Sequence, residues 1–568
     1  MKPKGDTAMY EVGGDEIQTM NLDHHGLIAA VCKDLGVSEK VDQKLGPFDD
    51  RRVVSPGKAV VAMILNGLGF TNRRLYLSHQ FFENKPIDKL LGDKAIKAED
   101  ITDYTLGHAL DEISTYGASK LFGEIAFDIA MTNDLLSIHN HLDSTSFSVH
   151  GQYDRDDPAE VIEVTYGHSK DHRPDLKQII LSLVVNGPAS IPIWMEPQNG
   201  NRSDKESFHE TIKNVRSFQK QINLNTNYKW IADSALYSKE KLLSTNDYLW
   251  LCRVPETVKE AKELVKKDDK GIHWEIHEKG YKSSEIESNY GGRAQRWILF
   301  YSEQAHARET KTLDRKLANE SDKLEKELWH LGNEIYNCEK DGLAALNRIK
   351  KKYKYFVVEH VIEPLRKFEK RGRPSLEDER VTVGYKVSSN FKKNRTAIEE
   401  RLNSKGRFIL ATNDLDKVNY SRQLILNEYK EQQNVEGGFR FLKDPWFMVD
   451  SIFLKTPKRI EALMMVMTLC LLIYNVAQYK LRMTLKEKDE TIPNQLNKPV
   501  QNPTMKWVFQ IMEGVGIVNF FQEKSLPACR QVITNLNAIR KKIILLFGPT
   551  ACDIYGLIVE NPVKVLGT

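Results

Sequence analysis

Paired cysteines are absent from this sequence. Its six (Cys32, Cys252, Cys338, Cys470, Cys529 and Cys552) are scattered singly, with no C-x-x-C. That excludes a zinc site built from cysteine pairs and a disulfide framework, and it predicts a reducing, cytoplasmic setting. Long apolar runs are also scarce. The longest, "ALMMVMTLCLLIY" (462–474), has 13 residues, short of the about 20 needed to span a bilayer. It predicts a buried core helix and no membrane partner. The beginning, "MKPKGDTAMYEVGG", lacks an apolar signal core. Charge of one sign is not in excess: 82 Lys and Arg against 78 Asp and Glu leave +4. Overall charge therefore announces no nucleic-acid partner, and any basic surface must be local.

The texture of the chain changes several times over its 568 residues. Residues 1–133 predict a helical domain, with Ser55-Pro56 as one helix start. Residues 134–255 predict a mixed α/β sheet: "LSIHNHLDSTSFSVHG", "DLKQIILSLVVNG" and "ASIPIWMEPQNGN" read as strands, the last two joined at Asn186-Gly187. A helix follows, with Ser203 as N-cap and Glu206 in the capping-box position, then the strands "YKWIADSA" and "YLWLCRVP". Residues 256–417 mix short strands with a charged helical stretch. Its apolar positions Leu313, Leu317, Leu324, Leu328, Leu331 and Ile335 predict a helical hairpin or coiled coil. The α/β pattern resumes over 418–480, and 481–568 reads as a polar linker followed by helices.

The stretch "LNEYKEQQNVEGGFRFLKDPW" (426–446) reads as one amphipathic helix. Tyr429, Glu436 and Lys443 are seven apart and share a face with Gln432 and Arg440. On spacing alone this equally fits a solvated helix face with i,i+4 pairs such as Glu436–Arg440. Gly437 and Gly438 sit oddly there, since each costs a helix interior about 1 kcal/mol relative to alanine. Elsewhere, Asp143 lies inside an apolar strand pattern and Asp233 at the end of another, each followed by serine. Aspartate is unfavourable in strands and rarely buried unless paired or metal-bound. Two such aspartates and a face-aligned glutamate suggest a three-carboxylate site for Mg²⁺ or Mn²⁺. Two such ions suit phosphodiester displacement, with Tyr429, Arg440 and Lys443 on DNA phosphates.

These motifs together resemble the DDE transposases of bacterial and archaeal insertion sequences, in the branch with a Tyr-x2-Arg-x3-Glu-x6-Lys signature. "LDSTSFSVHGQY" resembles the first-Asp motif and "IADSALYS" the second. "YGHSKDHRPDLKQIILSLVVNG", "GNRSD" and "KTPKRIEAL" are also similar to this branch. The resemblance implies an RNase H-like mixed-sheet core, interrupted by a mixed α+β insertion that fits the 203-residue separation of Asp233 and Glu436. An all-helical N-terminal domain, the candidate for DNA binding, and a helical C-terminal region are expected to flank that core. It implies Asp143, Asp233 and Glu436 as catalytic, metal-binding residues with two ions. It also implies transposon-end and target DNA as partners, a homodimer on paired ends, and a prokaryotic cytoplasm, at the nucleoid when bound. Gln432 stands where the signature has arginine; it is expected on a phosphate oxygen without charge, and Gln432→Arg is expected to keep or raise activity.

Other features are weaker. "RGRP" (Arg371 and Arg373) resembles a minor-groove hook, and also fits a basic turn. His168, Lys170, His172 and Arg173 read as DNA-backbone contacts or a polar loop, since three-ligand metal spacing is absent. His139 and His141 read as structural. Trp446 fits either the core or stacking on a flipped base. A DNA nuclease without strand transfer, and a non-catalytic DNA-binding descendant of a transposase, are the alternatives.

Overall fold

The computed structural model describes all residues except 1–9, 13–14, 50, 70–76, 152, 154–161, 225, 244, 246, 369–378, 445–453, 455, 522–529 and 558–568. The chain divides into two compact units, 1–250 with 427–568, and 251–426.

The first unit opens on two antiparallel strands, Tyr10–Val12 and β1 (Asp15–Asn21), which the helical reading of this region did not anticipate. Helices follow, among them α1 (His25–Asp34), α2 (Pro56–Gly67), α3 (Asp103–Tyr116) and α4 (Ala118–Thr132). The Ser55-Pro56 start of α2 is as the sequence predicts. Proline fills N1, and Ser55 Oγ accepts from the Lys58 N–H at 3.2 Å.

Next come β2 (His139–Val149), β3 (Lys177–Asn186), β4 (Ile191–Gln198), α5 (Asp204–Gln221) and β5 (Lys229–Ala232). Strand order is β4–β3–β2–β5. The first three form an antiparallel meander, and β5 joins β2 in parallel. The mixed sheet is therefore present. Helix α5 crosses between β4 and β5, as a parallel connection requires. The β3–β4 connection is a four-residue loop, with Asn186 paired to Ile191. Gly187 opens it at φ +74°, where a Cβ would stand 1.8 Å from the Leu135 carbonyl oxygen, so no side chain fits. Ser203 is the N-cap residue of α5, but its side chain makes no cap hydrogen bond.

The second unit begins within β6 (Leu249–Arg253) and contains β7 (Tyr281–Ser288), β8 (Gln295–Ser302), α6 (Glu303–Asn333), α7 (Glu339–Lys352), β9 (Phe356–Phe368), β10 (Arg380–Lys393) and β11 (Arg407–Thr412). β6, β11, β8 and β7 are antiparallel neighbours in that order. β9 and β10 form a separate two-stranded ribbon. The predicted helical hairpin is α6 with α7. Leu313, Leu317, Leu324, Leu328 and Leu331 are buried, but against α7 and the base of the ribbon rather than in a helix-only seam. Ile335 lies beyond the end of α6 and is 49% exposed.

The chain then returns to the first unit through α8 (Arg422–Lys430), α9 (Gln433–Leu442) and α10 (Pro457–Glu487), followed by β12 (Gly516–Phe521), β13 (Arg530–Thr534), α11 (Ala538–Phe547) and α12 (Pro549–Ile554). Helix α10 contains the predicted buried run. It is long and apolar enough to cross a membrane, yet 83% of its apolar window is buried inside the structure. It packs on α2, α3, α4 and β4, and Arg459 near its start holds Asp111 of α3 with two hydrogen bonds of 2.7–2.8 Å. The C-terminal region is not wholly helical: β12 pairs with β1, nearly 500 residues earlier, and with β13. Cys32, Cys252, Cys338, Cys470 and Cys552 are all free thiols.

Candidate functional site

Strand register puts the two aspartates together. β2 and β5 run parallel with Leu142 opposite Ala232, so Asp143 and Asp233 come next on both chains, about 4.8 Å apart across the ladder. Side chains at matched positions of parallel strands project from the same face. Asp143 is half-buried inside β2, and Asp233 is exposed just past the end of β5. Burial pushes the Asp143 carboxyl up to about 6, and the nearby Asp204 and Asp233 carboxylates push the same way. Lys170 and the Ser144 N–H, which donates to Asp143 Oδ1 at 2.7 Å, oppose that shift.

Two members of this neighbourhood are not tied to Asp143 in the sequence reading, which passes over Asp204 and takes Lys170 for a DNA-backbone contact or part of a polar loop. Asp204, the first residue of α5, accepts from Ser144 Oγ at 2.5 Å and pairs with Lys170 at 3.0 Å. Lys170 also donates to the Ser144 carbonyl at 2.6 Å. Both residues lay in stretches singled out for family likeness, "GNRSD" and "YGHSKDHRPD"; nothing in their spacing ties them to Asp143. His168 and His172 are exposed, and Arg173 holds Asp175.

The stretch expected as one helix is broken after Lys430 into α8 and α9. The break preserves a ladder against β2. Glu428 pairs with His139 at 2.9 Å. Glu431 approaches His141 at 3.7 Å. Gln432 Nε2 donates to the Leu142 carbonyl at 2.8 Å, and its Oε1 meets His141 Nδ1 at 3.3 Å. Four helical residues rise about 6 Å, close to the roughly 6.7 Å of two strand residues. Steps 428 and 432 thus track 139 and 141 on the strand. His139 and His141 are structural, as expected.

Glycine 438 fixes where the ladder ends. A Cβ there would lie 3.4 Å from Leu183 Cδ2 and 3.1 Å from Leu471 Cδ2. Leu183 is the cross-strand partner of Asp143, so α9, which carries Glu436, lies on the face of the sheet that bears Asp143. Glu436 itself is exposed. Among the described residues no three His, Cys, Asp or Glu side chains converge closely enough to hold a metal ion. Asp143 and Asp233 are brought together; the third carboxylate shares their face without closing on them.

The expected DNA-binding residues divide. Gln432 is corrected: it is buried, and both ends of its amide are spent on β2, so it is not free to take a phosphate. Arg440 is exposed on α9 and Tyr429 half-buried on α8. Lys443 caps α9 with its ammonium between both Asp171 oxygens, each at 2.8 Å, and 5.5 Å from the Phe147 ring centre. Arg371, Arg373 and Trp446 lie outside the described residues.

An α/β core that sets two aspartates side by side, with a glutamate-bearing helix on the same face, defines a candidate phosphoryl-transfer centre. Over residues 138–473, more than half of its length, the chain matches the family "Transposase DDE domain", and it belongs to that family. It is accordingly a transposase, an enzyme of DNA recombination. Residues 17–127 match a "Domain of unknown function (DUF4277)". Among solved structures, the cryo-EM structure of a piggyBac transposase synaptic complex with hairpin DNA is similar at 9% identity and a TM-score of 0.35, over 96% of this chain and 89% of that one. That likeness is too distant to carry a conclusion about fold or site. No curated protein matches.

Proposed function

We propose that this transposase cleaves the ends of an insertion sequence and joins the freed 3′-hydroxyls to target DNA, from an RNase H-like core with Asp143, Asp233 and Glu436 as its acids. One observation carries the reading: Asp143 and Asp233 are register neighbours on parallel strands, beneath a helix laddered to the same strand. The donor set suits hard divalent cations. A half-buried carboxylate raised to about 6, with two carboxylates near it against one cation, Lys170, and one backbone N–H, that of Ser144, is a surplus of negative charge that a cation would neutralise. Asp143 and Asp233 would hold Mg²⁺ or Mn²⁺, with Glu436 completing the set. Bound there, a pair of ions supplies charge stabilisation for the attacking and leaving oxygens.

This chain's own residues do the rest. The ladder of Glu428, His139, Gln432 and His141 orients α9 against β2. Arg440, exposed on α9, and Lys443, just past its end, take DNA phosphates; Lys443 would exchange Asp171 for a phosphate when DNA arrives. The helical N-terminal residues up to 133 are assigned to end binding, 256–417 to the insertion and 481–568 to the C-terminal region, in a homodimer on paired ends in the cytoplasm. The test uses labelled end duplex with Mg²⁺. Asp143→Asn, Asp233→Asn and Glu436→Gln should each abolish cleavage and leave end binding near wild type. Full cleavage by any one of them would overturn the assignment, and cleavage without joined product would favour the nuclease alternative.

A further inference from the structure

The whole chain is nearly neutral, but one element of the second unit is not. Residues 350–368 and 380–393, the end of α7 and both strands of the β9–β10 ribbon, contain ten Lys and Arg against two Glu. Their net charge of +8 is twice that of the entire protein, so the remainder is net acidic. The two acids are locally answered: Glu359 pairs with Lys392, and Glu363 lies across from Lys386. Lys352 is answered as well, by Glu327 of α6, so the surplus lies on the other basic residues of this element.

The ribbon's shape matches that charge. Phe356, Val358 and Val387 bury its base on α6 and α7. The Ile335–Tyr336 segment covers the ribbon as far as Tyr385 and Gly384; beyond that, Arg366 and Lys367 on β9, with Arg380–Val383 on β10, are exposed. Thirteen residues of strand reach roughly 40 Å. Arg366, Lys367 and Arg380 crowd the far end, in neighbouring registers opposite Thr382, Val381 and Phe368. The Arg380 guanidinium lies 4.9 Å over the Phe368 ring, which props it. A register shift at Leu365/Arg366 re-aims this end of the ribbon.

We infer that the β9–β10 ribbon is a DNA-binding arm that grips the phosphates of a duplex, its distal half narrow enough to enter the major groove. A two-stranded ribbon fits that groove, about 12 Å wide, and Lys and Arg displace its counterions. The exposed Val357, Val361, Val381 and Val383 would suit a second copy of the chain, but two arms of +8 would repel each other at that surface. The inference rests on the DNA-transposase reading and adds a site to it, remote in sequence from all three acids.

The test is the salt dependence of binding of the full chain to a fluorescent, mixed-sequence duplex, read by anisotropy. Each phosphate that a variant no longer neutralises should flatten the log–log slope by about 0.9. Arg366→Ala/Lys367→Ala/Arg380→Ala should bind at least about tenfold more weakly at low salt, with the slope reduced by about 2–3. Glu359→Gln/Glu363→Gln should bind more tightly than wild type. A triple variant with the wild-type slope overturns the arm and leaves the transposase reading intact, as does one altered only in self-association. Failure of the wild type to bind this duplex overturns the arm, and failure to bind the labelled end duplex as well overturns the proposed end cleavage.

Discussion

Adjacent glycines at 437 and 438 have opposite surroundings. A Cβ on Gly438 would sit between Leu183 and Leu471, whereas one on Gly437 meets nothing within 4 Å. Gly438→Leu should therefore overfill the helix–sheet contact and destabilise the protein by about 1–3 kcal/mol. Gly437→Ala should stabilise it by up to about 1 kcal/mol, because it removes helix-breaking entropy without a clash. Urea titration of the two variants checks both, and equal effects would mean that α9 is not seated on Leu183. Gln432 reverses an expectation. Its amide donates to the Leu142 carbonyl and accepts from His141. A guanidinium has donors only, so Gln432→Arg should set N–H against N–H and lower end cleavage rather than keep or raise it. Gln432→Leu, which strands both partners, should cost about 1–3 kcal/mol in stability. Spacing revealed which residues share a face with Glu436, but not which of them the break after Lys430 turns inward. Periodicity describes a helix and says nothing of its neighbour.

Among the elements, α1 has the clearest dependence on pH. It starts at His24-His25, both fully enclosed. His24 stacks on His25 and on Phe509, and meets the Leu68 carbonyl at 2.8 Å. Burial lowers His24 to about 4 and holds His25 well below the usual imidazole range. Both are neutral in the native state near pH 7. Between the unfolded value of about 6.5 and the folded value, the unfolded chain binds more protons, so stability is complete above that window and falls away as pH drops through it. For His24 alone the loss is on the order of 3 kcal/mol by pH 4. Thermal melts should fall between pH 6.5 and 4, and His24→Phe should flatten that fall. A melt independent of pH for wild type would place these rings in contact with water. Local elements of this kind were legible: the Ser55-Pro56 start, the meander of β2, β3 and β4, and the buried α10 follow from caps, alternation and apolar length. The β1–β12 pair was not, because nothing local to "DEIQTMN" specifies a partner beyond residue 515.

At the scale of the whole molecule, the candidate site is assembled from distant pieces: β2, β5, α5 and, past the second unit, α8 and α9. The sequence disclosed its aspartates because each breaks an apolar strand pattern. It concealed Asp204, and it concealed that Lys170 belongs beside Asp143; both are ordinary surface types until the fold sets them beside Ser144. The charge imbalance around Asp143 makes a prediction that does not need DNA. Without metal, the carboxyls of Asp143, Asp204 and Asp233 oppose one another across a partly desolvated space, so the site is destabilising in itself, as functional sites often are. Asp143→Asn removes one of those charges and should raise the melting temperature of metal-free protein, by roughly 1 kcal/mol in stability. Added Mg²⁺ or Mn²⁺ should stabilise the wild type by mass action, about 1.4 kcal/mol at tenfold excess over the dissociation constant. The variant should show no such gain, so the order of stabilities narrows or inverts as ion is titrated in. Equal stabilisation of both proteins by the ion would mean that Asp143 does not hold it, whatever the cleavage assay reads.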